Sequence, residues 1–472
     1  MRQKLLVAVA ATFALSACVN TADTASTQKQ IPSTPKNIIM IVSDGMGPAY
    51  TTAYRNFRDN PDTPEVEGVV LDDIFVGNAS TYPDQVSGFV TDSAASATAL
   101  ASGVKSYNGA IGVDKNKKPV TSILQRAKQL GMRTGVAVTS QIVHATPASY
   151  VAHNESRQNY NELADSFFDD RINGQFVADV MLGGGTRYFE REDRNVTAEF
   201  IDAGYAYVDT YNKLATLPAG ENVLGLFAEV GLPWALDDLR KNRLAYLTEH
   251  AIKHLENDKG FFLLVEASQV DWAGHSNDIA AAMAEMHDLN LALEYLVSYV
   301  EEHPDTLVVL TADHSTGGLT IGARGEYRWA PEWLQNLKQS PETIAQNITE
   351  VESPITYVSD ALGFELNEKE SQQVVELAKQ DDLKARFAGI KALLDIRSNT
   401  GWTTSGHTGV DVEVFAFGAG SNQFYGQYDN TDIAKKLFGL LPKSAPVVKT
   451  ETIPTPKEEK SQCDFETDWR CE

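Results

Sequence analysis

Short apolar runs alternate along the chain with longer segments in which apolar residues recur every three or four positions. The short runs are typical of buried strands, and the longer segments are typical of helices that pack one face on a sheet. The clearest strands are predicted at Asn37–Gly45, Arg133–Ser140, Gly260–Ser268, Thr306–His314 and Val412–Gly418. The clearest helices are predicted at Ser122–Gly131 and Asp278–His303. We therefore predict an α/β fold with a large, mainly parallel central sheet and helices on both faces.

The segment 315–402 breaks this alternation, because it is rich in charge, has weak strand signals and shows helical patterning around Asn367 to Leu394. We predict that it is a helical lid or crown inserted between two strands of the main sheet. The folded domain is predicted at 37–441. Residues 19–36 and 442–472 are polar, Pro-containing and without periodicity, so we predict a flexible tether and a flexible tail.

Residues 1–18 have a basic start, an apolar core and small residues before Cys18, and they resemble a bacterial lipoprotein signal. The apolar run is too short to span a bilayer. We expect export, lipidation of Cys18 and a periplasmic or outer-surface location; a signal peptide with an incidental cysteine is the alternative. In an oxidising compartment Cys463 and Cys471 are predicted to form a terminal disulfide, with two free thiols as the alternative.

The chain carries 64 acidic and 40 basic residues, a formal charge of −24. This excess argues against nucleic acid or an anionic membrane surface as the main partner, so we expect a membrane contact only through the lipid. An anionic substrate would need a locally cationic site, and bound metal ions could supply one.

Acids and histidines follow several of the predicted strands: Asp44, Glu266, Asp271, His275, Asp313, His314 and, beyond the insertion, His407. Any one of them could be a turn or surface residue. Together they are the ligand types for two or three divalent cations, and the carboxyl ends of strands in an open α/β sheet are where ligands bind. The group therefore favours a metal-dependent hydrolase.

Asp92 and Ser93 stand at the start of an Ala-rich stretch, VTDSAASATA. Both residue types cap helices well, so a plain helix cap explains the local pattern. A nucleophilic serine at a helix N-terminus is the other interpretation, because the dipole there favours negative charge.

The chain resembles the alkaline phosphatases. The resemblance rests on these ordered motifs: Asp44–Gly47, Thr91–Ala99, Gly103–Lys105, Tyr107–Gly109, Gly183–Gly185, Glu266–His275, Thr311–His314 and His407–Gly409. It implies an alkaline phosphatase-like fold that hydrolyses small phosphomonoesters with an alkaline optimum, through a phosphoserine formed on Ser93. It also implies a homodimer.

The same resemblance implies two zinc sites, a third site that usually holds magnesium, and an arginine, Arg157, that grips the phosphate. The implied ligands are Asp271, His275 and His407 for one zinc; Asp44, Asp313 and His314 for the other; and Asp44, Glu266 and Thr146 for the third site. Asp92 is expected to cap the helix or to orient Arg157.

His144 and Trp272 depart from the common pattern around the third site and resemble a subset that includes cold-adapted marine enzymes. Imidazole suits zinc better than magnesium, which leaves the occupant of the third site open. His144 could act only through water, and Trp272 could line the phosphate pocket or simply pack.

Other functions fit the sequence less well. Ser93–Ala97 lacks the Pro and Arg of a sulfatase motif, and Ser93 with Arg157 favours monoesters over diesters. A non-catalytic surface lipoprotein with this fold is the alternative from another class, although every expected nucleophile, metal and phosphate position is filled.

Overall fold

A computed structural model describes residues 32–443, and the predicted strands are the centre of a ten-stranded sheet. The observed strands are β1 (Asn37–Ser43), β2 (Phe75–Ser80), β3 (Arg133–Gln141), β4 (Arg171–Ile172), β5 (Gln175–Phe176), β6 (Val180–Gly184), β7 (Ala206–Val208), β8 (Val223–Leu226), β9 (Phe261–Ala267), β10 (Thr306–Thr311), β11 (Ser315–Thr316), β12 (Thr320–Ile321), β13 (Thr400–Gly401), β14 (His407–Thr408), β15 (Val412–Gly418) and β16 (Gly426–Asp429).

The observed helices are α1 (Pro48–Arg58), α2 (Val70–Ile74), α3 (Ser93–Ser102), α4 (Ile123–Gln129), α5 (Ala145–Val151), α6 (Tyr160–Asp169), α7 (Thr186–Phe189), α8 (Val196–Asp202), α9 (Tyr211–Thr216), α10 (Arg243–Leu255), α11 (Gln269–His275), α12 (Ile279–Glu302), α13 (Pro341–Asn347), α14 (Pro354–Leu362), α15 (Glu368–Leu377), α16 (Leu383–Ser398) and α17 (Asn430–Leu440).

The strand order of the large sheet is β16-β2-β15-β10-β1-β9-β3-β6-β8-β7. All neighbouring strands are parallel except around β15, which runs antiparallel to both β10 and β2. The prediction of a mainly parallel sheet is confirmed. The central strands β10, β1, β9 and β3 all run in the same direction, so their carboxyl ends lie along one edge.

Helices cover both faces of these central strands. The helices α10 and α12 pack together and against β9, while α4 and α5 also contact β9 and pack with α3 and α17. Every residue of β1 and β9 is buried, which requires apolar cover on both sides of the sheet. The continuous apolar runs of these strands are the sequence signature of that double cover.

The chain between β10 and β15 contains four helices, α13 to α16, and two short strand pairs, β11 with β14 and β12 with β13. The helical patterning predicted around Asn367 to Leu394 is confirmed by α15 and α16. The helix α16 packs against α12 and α13, which fixes the insertion to the main body. Its function as a lid stays a prediction.

Several predictions concern residues outside the described range: the signal at 1–18 with Cys18, most of the tether, and the tail with Cys463 and Cys471. Within residues 32–443, none of the helices combines the length and the apolar character that crossing a membrane requires.

Candidate metal and phosphate site

Three neighbouring strands deliver acidic side chains to one edge of the sheet. Asp44 follows β1, Glu266 is the last residue but one of β9, and Asp313 comes two residues after β10. Val42 pairs with Glu266 on one side and with Thr311 on the other, so the three strand ends are level. Together with Asp271 from helix α11, these three side chains form one buried group of four carboxylates.

Helix α11 adds Asp271 and His275, which lie one turn apart on the same side of the helix. Asp271 Oδ2 lies 3.3 Å from His275 Nε2. The helix approaches the β1 loop closely at Gly45, where an added Cβ would lie 2.6 Å from the Asp271 Cα and where φ is +74°. Only glycine fits that position, which explains the glycine directly after Asp44.

His407 reaches the same region through the short antiparallel pair of β11 and β14, in which it lies opposite Thr316. Its Nε2 lies 3.1 Å from His275 Nε2, and its ring stacks on His314 with centroids 3.5 Å apart. Its Nδ1 contacts the carbonyl oxygen of Thr91 at 2.8 Å. The Nε2 atoms of His407 and His275 therefore point to one place, as two ligands of one cation would.

Side chains suited to bind a cation form three groups whose donor atoms lie within 4.8 Å of one another. These groups are Asp271, His275 and His407; Asp44, Asp313 and His314; and Asp44, His144 and Glu266. Asp44 belongs to two of them, so the groups adjoin. The residue types fit the implied ions, because mixed imidazole and carboxylate sets suit zinc and carboxylate-rich sets suit magnesium.

Burial makes the carboxylates of Asp44 and Glu266 hard to keep ionised without added positive charge, whereas His275 and His314 outweigh burial and hold the pKa values of Asp271 and Asp313 below their ordinary range. Burial, followed by the charges of Asp313, Asp271 and Glu266, raises the pKa of Asp44 well above its ordinary value. Burial raises the pKa of Glu266 to about 8. In residues 32–443, neither Asp44 oxygen nor Asp313 Oδ2 takes part in a hydrogen bond. Bound cations are the partners that such oxygens fit.

Ser93 lies at the start of α3, within reach of this cluster. Its Oγ lies 3.1 Å from His314 Nε2, and the residue is 1% exposed. Asp92 is the N-cap of the helix, because its Oδ1 accepts a hydrogen bond from the Ala95 N–H at 2.9 Å. Ser93 therefore has both the capped-helix setting and the neighbouring cation ligands.

Arg157 is placed beside Asp92 and His144. Its Nη1 lies 3.3 Å from Asp92 Oδ2, and its Nη2 lies 3.2 Å from His144 Nε2. Asp92 Oδ2 also accepts the Gly109 N–H at 2.8 Å. The structure thus gives Asp92 both contacts expected from the sequence, with the helix start and with Arg157.

The third group is held by neighbours directly after β9 and at the start of α5. Ser268 Oγ donates to Glu266 Oε2 at 2.7 Å, while Thr146 is buried in the first turn of α5. His144 is the N-cap of that helix and meets the Trp272 ring edge-on at 6.0 Å. Trp272 also packs on Gly231, where an added Cβ would lie 2.3 Å from the indole. Trp272 therefore packs against both His144 and the 231 backbone.

One contributor is absent from the sequence-based set. Thr316 Oγ1 donates to Asp271 Oδ1 at 2.5 Å and lies 3.2 Å from His314 Nδ1. It links the ligands of two groups and orients both. Its position two residues after His314 is the signal that could have drawn attention to it.

Comparison with known proteins agrees with this geometry. A family model described as alkaline phosphatase matches residues 35–442. Alkaline phosphatase 3 of Bacillus subtilis is 46% identical over 411 residues, covering 86% of this chain and 89% of the relative. The crystal structure of a cold-active alkaline phosphatase from a psychrophilic Shewanella is 52% identical, with a TM-score of 0.82, and covers 86% and 100% of the two chains.

A more distant structure bears on the third group. It is a histidine-to-aspartate variant of the alkaline phosphatase from the Antarctic bacterium TAB5, described with magnesium bound in the M3 site. It is 27% identical with a TM-score of 0.65, and the alignment covers 87% of this chain and 99% of that one.

Proposed function

The chain belongs to the alkaline phosphatase family and is a phosphomonoester hydrolase, and we propose that it acts through a phosphoserine on Ser93, with two zinc ions and one further ion. The observation that carries this proposal is the position of the Ser93 Oγ, at a helix start and 3.1 Å from His314 Nε2. A nucleophile, cation ligands and an arginine meet there.

Zinc ions held by the first two groups would stabilise the serine alkoxide and the leaving oxygen, and would lower the pKa of a water toward ~7. The chain's own residues provide the rest. Arg157 offers a planar fork of donors for two phosphate oxygens, which fixes the ester in front of Ser93. The N–H groups at the start of α3 favour negative charge at the same place.

The reaction then runs in two displacements. The Ser93 Oγ forms a bond to phosphorus while the bond to the alcohol oxygen breaks, and the alcohol leaves from the side opposite Ser93. Water next attacks the phosphoserine, releases inorganic phosphate and restores the Ser93 hydroxyl. Asp92 holds Arg157 in position through both steps, since it is fixed by the Ala95 and Gly109 N–H groups.

For the third site we propose Asp44, Glu266, Thr146 and His144 as the surroundings of magnesium or zinc. In the TAB5 variant, magnesium occupies the M3 site when aspartate replaces a histidine. By analogy, His144 would shift the preference of this site toward zinc.

We also propose export, lipid anchoring through Cys18, an alkaline optimum and a homodimer. These proposals rest on the sequence motifs and the family, and mass measurement of the intact lipidated chain together with its size in solution would test the anchor and the dimer.

The phosphoserine proposal is tested by Ser93→Ala, with inorganic phosphate release as the readout. We expect turnover to fall by ~10³-fold or more, because the nucleophile is removed. Ser102→Ala is the matched control, because Ser102 ends the same helix and its hydroxyl bonds only nearby backbone groups among the contacts described, donating to the Thr98 carbonyl and accepting from the Val104 N–H. Near-wild-type turnover in Ser93→Ala would contradict a covalent mechanism.

A further inference from the structure

We propose that an exposed apolar rim beside the site binds the alcohol part of the substrate, so that the enzyme favours phosphomonoesters of apolar alcohols. The apolar rim consists of Val86, Phe89, Val90 and Val410, which are 69%, 84%, 44% and 45% exposed. The inference rests on the proposed function and adds a substrate class to it.

The side chains of the site differ in their exposure to solvent. The side chains of Asp44 and Asp313 are 0% exposed and that of His314 is 1% exposed. Exposure rises through Arg157 at 8% to His407 at 11% and Asp92 at 20%. The solvent edge of the site therefore runs between Asp92 and His407.

The apolar rim borders this edge directly. Val90 lies two residues before Asp92, and the carbonyl oxygen of the intervening Thr91 contacts His407 Nδ1 at 2.8 Å. A Cβ added at Gly409 would lie 3.4 Å from Val90 Cγ2, so the segment after His407 lies against the segment before Asp92. Val410 follows at once.

The backbone under the rim is held in place by one asparagine. The Asn108 N–H donates to Ser87 Oγ at 2.9 Å, its Nδ2 donates to the Val90 carbonyl at 3.1 Å, and its Oδ1 accepts from the Asp92 N–H. Gly88, with φ of +88°, turns the chain directly before Phe89. The Phe89 ring is therefore presented to solvent from a fixed base rather than from a loose end.

The chemistry directs the alcohol toward this rim. In an in-line displacement the leaving oxygen departs from the side of phosphorus opposite the nucleophile. Ser93 lies inside, at 1% exposure, so the alcohol has to project toward the solvent edge. The apolar rim borders that edge next to Asp92 and His407.

An apolar alcohol that covers part of the rim gains free energy in the transition state. If the alcohol buries roughly 50 Å² of apolar surface on the rim, kcat/KM for that ester should rise about eightfold. A methyl ester has little apolar surface to bury, so we expect it to gain almost nothing from the rim.

The test compares methyl phosphate with 2-phenylethyl phosphate in the metal-loaded full-length enzyme, because their alcohols have similar pKa values and differ mainly in apolar size. Wild-type kcat/KM is expected to favour the phenylethyl ester by roughly eightfold. Phe89→Ser should reduce this preference to within about twofold. Leu239→Ser is the matched control, since Leu239 is 101% exposed on a segment that does not border the site, and it should keep the wild-type preference.

Three results would overturn the inference. They are no preference in the wild type, an unchanged preference in Phe89→Ser, or a change of preference in that variant accompanied by a change of molecular mass in light scattering. The last result would assign the rim to contact with a second copy of the chain. Hydrolysis of methyl phosphate separates the two proposals, because its absence would contradict the proposed function itself. An unchanged inhibition constant for inorganic phosphate in Phe89→Ser would show that the phosphate position is intact.

Discussion

The molecule buries ionisable side chains in two places that differ in what balances their charge. The strand-end cluster consists of the carboxylates of Asp44, Glu266, Asp271 and Asp313, and the arginine cluster consists of Arg243 with Glu285 and Asp288. Both are almost fully buried. The arginine cluster sets one guanidinium directly against two acids, whereas the strand-end cluster has four acids and only Arg157 as a neighbouring guanidinium among the described residues.

In the arginine cluster every nitrogen of the Arg243 guanidinium donates a hydrogen bond. Arg243 Nη2 donates to Glu285 Oε2 at 2.5 Å and Nε donates to Asp288 Oδ2 at 3.0 Å, while Nη1 donates to the Pro233 carbonyl and to Gln269 Oε1. Backbone N–H groups satisfy the remaining acid oxygens. This cluster is complete within the chain.

The strand-end cluster is not complete in the same way. Its histidines are the nearest basic groups, and burial followed by the neighbouring His314 lowers the pKa of His407 to about 4, which keeps that ring neutral. A neutral imidazole binds a cation but does not balance a carboxylate. Buried acids that outnumber the neighbouring cations of the chain therefore mark a place for cations from outside.

The largest effect is expected from Asp44→Asn, which keeps the shape and removes a charge shared by two metal groups. Weakening even an outer partner of a metal site costs ~10–100-fold, so the loss of a ligand common to two sites should lower kcat/KM by ~10⁴-fold. The rate of inorganic phosphate release measures this loss of kcat/KM. The control is Asp73→Asn, at an exposed position. A loss of kcat/KM below tenfold in Asp44→Asn would mean that the strand-end cluster, like the arginine cluster, does not need cations from outside.

The next effect is expected from Arg243→Met, which leaves two buried acids without their cation. Breaking a buried ion pair from one side costs ~3–5 kcal/mol, so the free energy of unfolding in urea should fall by that amount. Adding Glu285→Gln and Asp288→Asn to the same chain should restore much of it. A cost below ~1 kcal/mol for the single variant would show that the arginine does not balance these acids.

The smallest effect concerns Asp395, a half-buried acid near Arg324 and Lys391. Burial, opposed by the hydrogen bond from Trp402 Nε1, raises its pKa from 3.8 to about 7. Between these pH values the folded state holds a proton that the unfolded state lacks, so stability falls as pH rises.

Asp395→Asn should remove this contribution while keeping an acceptor for Trp402. The variant is therefore expected to gain stability relative to wild type on going from pH 4 to pH 7, on the order of 1 kcal/mol after allowance for solvent screening. Denaturant titrations at several pH values measure the difference. A difference that stays constant with pH would mean that Asp395 is already ionised at low pH.

Much of the fold could be predicted from the sequence, because the central strands are buried on both faces and read as unbroken apolar runs. The strands β2, β6, β7, β8 and β16 of the same sheet were missed. They are three to six residues long, and β16 is largely polar, so neighbouring strands rather than local pattern determine them.

Site residues could be predicted from the sequence where an acid directly follows a strand, as at Asp44 and Asp313. The approach of His407 to His275 depends on the two-residue pairing of β11 with β14 across the insertion, which no local spacing encodes. The arginine cluster was missed as well, because a lone arginine in a helical pattern looks like a solvated residue until its burial is known.

Metal content of the purified wild-type enzyme, measured by mass spectrometry of its elements, tests the central claim most directly. We expect about three divalent ions per chain, one for each group of ligands, with zinc predominant. We also expect fewer ions in Asp44→Asn and an unchanged number in folded Arg243→Met. An active wild-type enzyme without stoichiometric divalent metal would contradict it.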